Sequence, residues 1–303
     1  MTLTALTLLI AATIGLAAPL LFAALGEMIS ERGGAINVGL EAMMLAGAFT
    51  GVWAASSSGS LIIGFLGAAA GGAAVALLHG VVCFVFGAEQ VVSGVVLNIL
   101  VLGLTTYGIG AVFGSDMTHS VPTLPNFPVP GLSGIPFLGQ AFFTQNLMVY
   151  VAFLLVPASA WFISRTKFGL AIRASGEQPA AARSMGVDVR KVRWIVLLLC
   201  GALAGVGGGQ LTLAGLGTFT QNVTAGRGFI ALAAVIFGRW QPLGTMIAVL
   251  LFTLTEALQI RAQVMGIHVP YQFLVMSPYL VTVVALALFV GRMRPPKSLG
   301  VND

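Results

Sequence analysis

Long apolar runs separated by short polar segments dominate the pattern of this sequence. A membrane-crossing helix needs about 20 mostly apolar residues, because the hydrocarbon core of a bilayer is about 30 Å thick. Strands of a membrane barrel would instead alternate over about ten residues. We therefore predict an all-α polytopic membrane protein, a bundle of about nine (8–10) transmembrane helices at roughly 3–25, 36–55, 61–86, 91–113, 146–164, 194–215, 220–238, 242–260 and 271–290.

The composition supports a membrane protein and excludes a soluble one. Of the 303 residues, 58% are hydrophobic and 8% are charged, and the mean hydropathy is +1.00. Soluble domains carry about 25% charged residues, so this chain has too little polar surface for a water-soluble globule. Cys83 and Cys200 lie inside apolar runs, which offers no disulfide framework and no zinc site. We expect residues 1–303 to form a single membrane domain.

The positions of the basic residues predict the orientation of the helices. Seven of the fourteen Lys and Arg residues fall in the loop at about 165–193, and three more follow the last predicted helix. Cytoplasmic loops are enriched in Lys and Arg, so we expect that loop and the C-terminus in the cytoplasm. Nine helices then place the N-terminus and the proline-rich loop at about 114–145 outside. That loop is either a plain connector or a plug or docking edge for an external partner.

The basic loop contains a predicted short helix flanked by glycines. Ser175 and Gln178 have the spacing of a capping box, and Pro179 suits the first helical turn. Gly186 can end the helix in the left-handed conformation, and Asp188 can cap the helix that follows. By itself this pattern is also typical of an ordinary amphipathic surface helix.

Five segments together resemble the permeases of ATP-binding-cassette (ABC) importers, in the branch that carries sugars and nucleosides. They occur in the family's order over most of the chain: ISERGGAINVGLEAMMLAGAF (29–49), EQVVSGVVLN (89–98), SGEQPAAARSMG (175–186), LAGVGGGQ (203–210) and GRGFIALAAVIFGRWQPLGT (226–245). The segments are most similar to the shorter of the two permeases in nucleoside uptake systems that use a binding lipoprotein.

The resemblance implies a function and a set of partners. The chain would form half of the path by which nucleosides enter across the bacterial cytoplasmic (inner) membrane, with simple sugars such as ribose as the alternative substrate. The implied partners are a second permease, an ATP-binding subunit that holds ATP and magnesium, and an external substrate-binding protein or lipoprotein. The sequence has no G-x-x-x-x-G-K-[ST] phosphate loop. We expect no catalytic site, cofactor, metal or nucleic-acid partner in this chain.

The resemblance also implies that the short helix of the basic loop is a coupling helix, which transmits the motion of the ATP-binding subunits. Its alanines would allow close seating, and its methionine would act as an adaptable apolar knob. The residues expected to couple are Gly176, Glu177, Pro179, Ala180, Ala181, Ala182, Arg183, Met185 and Gly186.

Polar and ionisable residues inside the predicted helices are candidates for the substrate path, since a charge at the centre of a span costs about 2.5–3.5 kcal/mol. A nucleoside presents hydroxyls and base edges, which suit amide, hydroxyl and aromatic groups. The candidates are Asn37, Glu41, Asn98, Gln210, Asn222, Phe229 and Glu256. For Glu41 and Glu256 the alternative is a structural hydrogen bond that locks helices together, and the same choice is open for Asn98 and Gln210.

Gly201, Gly205 and Gly209 recur at every fourth residue. This spacing indicates close packing between helices. The alternative is that the consecutive Gly207, Gly208 and Gly209 loosen the helix and expose its backbone to substrate. A secondary transporter is the remaining alternative function, although such proteins usually show internal repeats and no convincing repeat is present. Ser93, with His79 and His119 as possible partners, lacks the strained turn motif of a serine hydrolase, and His79 is expected to be a satisfied structural histidine.

Overall fold

The computed structural model describes residues 3–114, 121–265 and 295–301, together with Met276, Leu280 and Val284. Helices cover most of this part of the chain: α1 Leu3–Arg32, α2 Leu40–Ser58, α3 Leu61–Gly80, α4 Gln90–Phe113, α5 Leu138–Phe142, α6 Leu147–Arg165, α7 Lys167–Glu177, α8 Pro179–Ser184, α9 Val189–Gly209, α10 Arg227–Phe237 and α11 Pro242–Val264. π-Helical turns extend α3 over Val81–Val85 and α9 over Gln210–Leu216. The prediction of an all-α fold is confirmed for the described residues.

Six of these helices, with their extensions, are long and apolar enough to cross a membrane: Thr4–Arg32, Leu61–Val85, Gln90–Phe113, Leu147–Arg165, Val189–Leu216 and Pro242–Val264. The predicted count of nine is therefore not confirmed. The helix predicted at 36–55 corresponds to the 19-residue α2. The helix predicted at 271–290 lies outside the described residues, apart from the three isolated ones.

The prediction of a continuous helix over 220–238 is wrong. Residues 217–226 are irregular, and α10 has 11 residues, which span about 16 Å or half of a bilayer core. The backbone enters the left-handed region at Asn222 (φ 54°), Ala225 (φ 45°) and Gly226 (φ 84°), so a right-handed helix cannot run through this turn. The apolar residues of the predicted span are concentrated in α10, whereas residues 220–226 include Thr220, Gln221, Asn222 and Thr224.

Small residues allow α9 to pack closely against α3 and α2 at the centre of the bundle. A Cβ added at Gly205 would overlap the Ala68 carbonyl oxygen of α3, and one added at Gly208 would overlap the Met44 carbonyl oxygen of α2. Residues up to Gly209 remain in regular α-helix. The structure thus favours the packing interpretation of the repeated glycines over a loosened helix.

The helix termini gather at two opposite ends of the bundle. At one end, hereafter the basic end, Arg32 of α1 donates a hydrogen bond to the Trp240 carbonyl between α10 and α11 (2.7 Å). α7 also lies at this end, because its Gly176 packs against the Arg32 backbone. At the opposite end, Arg261 of α11 donates to the Ala5 carbonyl of α1.

The described part of the proline-rich loop, residues 121–145, contains the short α5 and is tied to the opposite end. The backbone N–H of Val121 donates to the Gly217 carbonyl (2.8 Å), and that of Leu124 donates to the Leu213 carbonyl (2.9 Å). The loop therefore rests on the π-helical extension of α9.

We expect Gly205→Ala to destabilise the protein by about 1–3 kcal/mol, the usual cost of overpacking a core, because the added methyl group would force α9 away from α3. Gly103→Ala in α4 is the matched control, since nothing lies within 4 Å of a Cβ at Gly103 and helix propensity favours alanine by up to about 1 kcal/mol. Thermal unfolding in detergent measures both variants. Equal unfolding temperatures would contradict the close contact between α3 and α9.

Candidate functional site

α10 begins about halfway through the bundle. Its last turn leads to Trp240 at the basic end, so its first residue lies about 16 Å deeper, near the middle of the membrane core. Residues 217–226 connect that point to the opposite end. The chain therefore crosses here as an irregular segment followed by a half-length helix. In many transporters, such interrupted helices form the substrate site near the bilayer midplane.

Glu41 of α2 holds the beginning of α10 through three hydrogen bonds. One carboxylate oxygen accepts from the Thr224 hydroxyl (2.5 Å) and the Gly226 N–H (2.8 Å), and the other accepts from the Gly228 N–H (2.6 Å). The negative charge lies at the helix N-terminus, where the helix dipole favours it. A Cβ at Gly228 would lie 2.5 Å from the Glu41 Cα, so only glycine allows this approach. The carboxylate is buried and occupied by the protein's own donors.

The other side of the same turn is exposed. Asn222, Ala225 and Phe229 are exposed, Phe229 to 46%, and we name these three residues the ledge. Beside the ledge, Gln221 donates a hydrogen bond to the Thr106 hydroxyl of α4 (3.3 Å). Irregular backbone at membrane depth does not face lipid, and it either contacts protein or lines a water-filled cavity. The amide and the aromatic ring of the exposed ledge are therefore expected to face either another protein or a water-filled cavity.

Asn37 and Asn98 are engaged at the loop between α1 and α2. The Asn98 side chain accepts from the Ala42 N–H (2.9 Å) and donates to the Val38 carbonyl (3.0 Å). The backbone N–H of Asn37 donates to Glu27 (3.0 Å), and the Asn37 side chain is fully buried. The contacts of both amides are with loop backbone and core atoms, and the structure does not place either amide on the ledge.

His79 and Ser93 form a buried pair between α3 and α4. His79 Nδ1 lies 3.0 Å from the Ser93 hydroxyl, and Nε2 lies 3.4 Å from the Ile36 carbonyl. Both ring nitrogens thus have protein partners, and the two side chains are buried. His119 lies outside the described residues. Within the described ranges, no three His, Cys, Asp or Glu side chains are grouped so that they could hold a metal ion.

A cavity of about 490 Å³ lies towards the opposite end, between α1, the start of α6, the extension of α9 and α11. Gln210 lines it and donates to the Asn146 side-chain oxygen (3.1 Å). Gln210 is 4% exposed, and its Oε1 has no hydrogen-bond partner among the described residues. Buried polar atoms are nearly always paired, so an unpaired oxygen on a residue that lines the cavity is unusual. The cavity volume falls in the range of about 300–1,000 Å³ typical of small-molecule sites.

Glu256 pairs with Arg227, a residue that is not among those predicted from the sequence. The Arg227 guanidinium lies 2.6 Å from Glu256 Oε1, and the two side chains are 21% and 19% exposed. Arg227 also lines the cavity that contains Gln210. A signal for the pair exists in the sequence, since ionisable residues within membrane segments commonly pair with one another.

The short helix predicted in the basic loop is present as α8. The signals predicted after it are confirmed, and the one predicted before it is not. Gly186 follows it in the left-handed conformation (φ 84°), and Asp188 caps α9 by accepting from the Lys191 N–H (2.9 Å), both as predicted. The predicted capping box is wrong. Ser175 is buried inside α7, and Gln178 precedes α8 without a side-chain capping bond. Gln178 lies between two helices, α7 and α8, and does not begin a single helix.

Most of the residues predicted to couple lie on an exposed surface. Met185 is 84% exposed, and the other exposed members are Glu177, Ala180, Ala181, Arg183 and Gly186. Pro179 is partly buried and Ala182 is buried. Gly176 is buried against the Arg32 carbonyl, where a Cβ would overlap it. Gly176 is thus a packing contact between α7 and α1.

Sequence reasoning missed a polar network at the basic end. α1 extends past the predicted end at 25 and brings the buried Glu27 and Glu31 into the bundle. Glu31 accepts a hydrogen bond from the Trp240 indole N–H. The Ser298 hydroxyl donates to the Gly176 carbonyl (2.7 Å), which ties residues 295–301 to α7. The sequence did contain a signal for this network, because two acidic residues lie one helical turn apart beside an apolar run.

Comparison with known proteins shows one family and several similar permeases. Residues 9–293 match the family described as branched-chain amino acid transport system / permease component. The chain is 38% identical over 306 residues to the guanosine ABC transporter permease protein NupQ of Bacillus subtilis, covering 98% of this chain and 96% of NupQ. It is 40% identical over 293 residues to the nucleoside ABC transporter permease protein NupC of Lactococcus lactis, covering 94% and 92%.

A third relative differs in its assigned substrate. The chain is 40% identical over 260 residues to the permease protein TsgC13 of Haloferax volcanii, provisionally assigned to glucose, covering 84% of this chain and 78% of TsgC13. No solved structure matches this chain.

We expect Arg227 and Glu256 to be coupled by about 1–3 kcal/mol, the usual range for residues in one ion pair. Arg227→Met and Glu256→Gln should each lower the thermal unfolding temperature, because each leaves a partly buried charge unpaired. The double variant should lose less than the sum of the two single losses. A double-mutant cycle in detergent measures the coupling, and strictly additive losses would contradict the pairing.

Proposed function

Since this chain belongs to the branched-chain amino acid transport system / permease component family, we propose that it carries nucleosides inward as part of an ABC importer. It is a permease subunit of an ABC transporter, and it works in a membrane with an ATP-binding subunit and a substrate-binding partner. ATP hydrolysis belongs to the ATP-binding subunit. We assign the ATP and its magnesium to that subunit as well.

The ledge is the observation that carries the nucleoside proposal. Phe229 offers an exposed ring on which a base can stack, and Asn222 offers an amide that can bond to base edges or ribose hydroxyls. Two of the relatives, NupQ and NupC, are named for guanosine and nucleosides and align over nearly their whole length. The glucose assignment of TsgC13 supports simple sugars as the second candidate, because ribose and glucose present similar hydroxyl groups.

We place the substrate path along the ledge and assign different tasks to the candidate residues. Asn222 and Phe229 contact the substrate, and Gln210 offers an acceptor in the cavity nearer the opposite end. Glu256 stabilises Arg227 beside that cavity. Asn37, Glu41 and Asn98 support the backbone around the path, because their polar atoms contact the protein itself.

A second permease is proposed to face the ledge. One chain by itself leaves irregular backbone and polar side chains exposed at membrane depth, and a bilayer does not tolerate that exposure to lipid. A second permease of similar fold would enclose the path and exclude lipid from it. We propose a heterodimer, as the sequence resemblance implies.

The basic end is proposed to face the cytoplasm of a bacterium. Half of the Lys and Arg residues lie in the loop that contains α7 and α8, and the positive-inside bias favours that side. This orientation places the C-terminus inside and the N-terminus and proline-rich loop outside. The exposed surface of α8, with Met185 at its end, would then seat on the ATP-binding subunit.

Uptake of labelled guanosine or adenosine tests the substrate. Cells that carry the gene should take up either nucleoside faster than cells in which it is deleted, and excess unlabelled ribose should not compete, because the base contributes to recognition. Loss of labelled ribose or glucose uptake on deletion, with nucleoside uptake unchanged, would assign the permease to simple sugars.

Ala181→Trp tests the coupling surface. Ala181 is exposed on α8, so the bulky ring should leave the fold intact while blocking close seating of the ATP-binding subunit. We expect nucleoside uptake to be abolished with normal membrane insertion of the variant. Leu138→Trp is the control of equal size, because Leu138 is also exposed but lies in α5, away from α7 and α8. Normal uptake by Ala181→Trp would remove α8 from the coupling surface.

A further inference from the structure

The ledge and the residues that Glu41 binds alternate along one short turn. Thr224, Gly226 and Gly228 point their donors at Glu41, whereas Ala225 and Phe229 are exposed on the other side. Ala225 lies directly between Thr224 and Gly226, and Phe229 directly follows Gly228. A change in the bonds to Glu41 therefore moves the exposed side of the turn as well.

The turn adopts a conformation that its own sequence does not favour. Ala225 has φ 45°, a left-handed conformation that L-residues with a Cβ adopt rarely. Such conformations persist where the surroundings hold them. Thr224 and Gly226, the residues on either side of Ala225, both donate hydrogen bonds to Glu41. These bonds restrain the turn from a different helix.

Only a carboxylate at position 41 satisfies all three donors. Its two oxygens accept a hydroxyl and two backbone N–H groups, and it adds negative charge at a helix N-terminus. A glutamine has one acceptor oxygen, and its NH2 group would face at least one N–H donor. The site therefore distinguishes a carboxylate from an amide of nearly the same shape.

We propose that Glu41 is a positioning residue for transport, whose carboxylate behind the ledge sets the place of Asn222 and Phe229 in the substrate path. The inference rests on the proposed function of the ledge. Glu41 does not contact the substrate, and it acts through the backbone of residues 224–228.

The test uses the complete transporter, with its partner subunits and binding protein, reconstituted in proteoliposomes. Glu41→Gln should lower the number of guanosine molecules transported per ATP hydrolysed by about tenfold, the factor expected from losing hydrogen bonds to a charged group. The amount of assembled complex and its ATPase rate should stay within about twofold, since neither α7 nor α8 packs extensively against α2. A ratio equal to that of the unchanged protein would overturn the proposal.

Glu89→Gln is the matched control, because it makes the same chemical change at an exposed carboxylate next to the start of α4. It should leave the ratio of transport to ATP hydrolysis unchanged. A purely structural role for Glu41 would lower transport and ATP hydrolysis together, in proportion to the loss of assembled complex, and that result would also overturn the proposal.

Thr224→Val tests the role of Glu41 if the transporter with Glu41→Gln does not assemble. It removes one donor to Glu41 and keeps the shape of the side chain, so the transport ratio should fall by about threefold or more. An unchanged ratio, or loss of assembly in this variant too, would overturn the proposal. If the unchanged transporter carries ribose or glucose and no nucleoside, the proposed substrate fails, and the Glu41 variants are then scored with that sugar.

Discussion

Inside a bilayer, backbone N–H and C=O groups that leave helical geometry find no water, so the protein must supply their partners. At two places in the described residues, the loop 33–39 and the segment 217–226, the chain leaves the helix within the bundle. α4 supplies the partners for the loop 33–39: Gln90 accepts from the Ile36 N–H (2.8 Å), and Asn98 binds the backbone at the start of α2. Glu41 accepts the hydrogen bonds of the second segment, at the turn before α10. Polar side chains inside this membrane protein thus act first as partners for backbone.

Close helix packing makes these partners available. Gly205 and Gly208 let α9 approach α3 and α2, and Gly228 lets α10 approach α2. With bulkier residues the carboxylate of Glu41 would not reach the turn before α10. At the basic end, close packing links α7 to the end of α10, because α7 packs on α1 through Gly176 and Arg32 of α1 donates to the carbonyl of Trp240. In the coupling role proposed for α8, these contacts would carry its displacement to the half-length helix that bears the ledge.

The properties that the sequence determined by itself are those set by local chemistry. The length of the apolar runs established a helical membrane protein, because a bilayer of given thickness requires a given length of apolar helix. Asp188 and Gly186 marked helix ends correctly, since capping bonds and left-handed glycines act within a few residues. The order of similar segments along the chain also pointed to the permease family, which the comparisons then showed.

The tertiary structure alone decided which apolar segments are continuous helices and which polar residues face a possible path. The sequence predicted a full span over 220–238, yet the helix begins at Arg227, and Glu41, 183 residues away from Thr224, caps the turn before it. Glu41 and Glu256 look alike in the sequence, but one binds backbone N–H groups and the other binds Arg227. Hydropathy reports the depth of a residue in the membrane, whereas its partner depends on how distant helices pack.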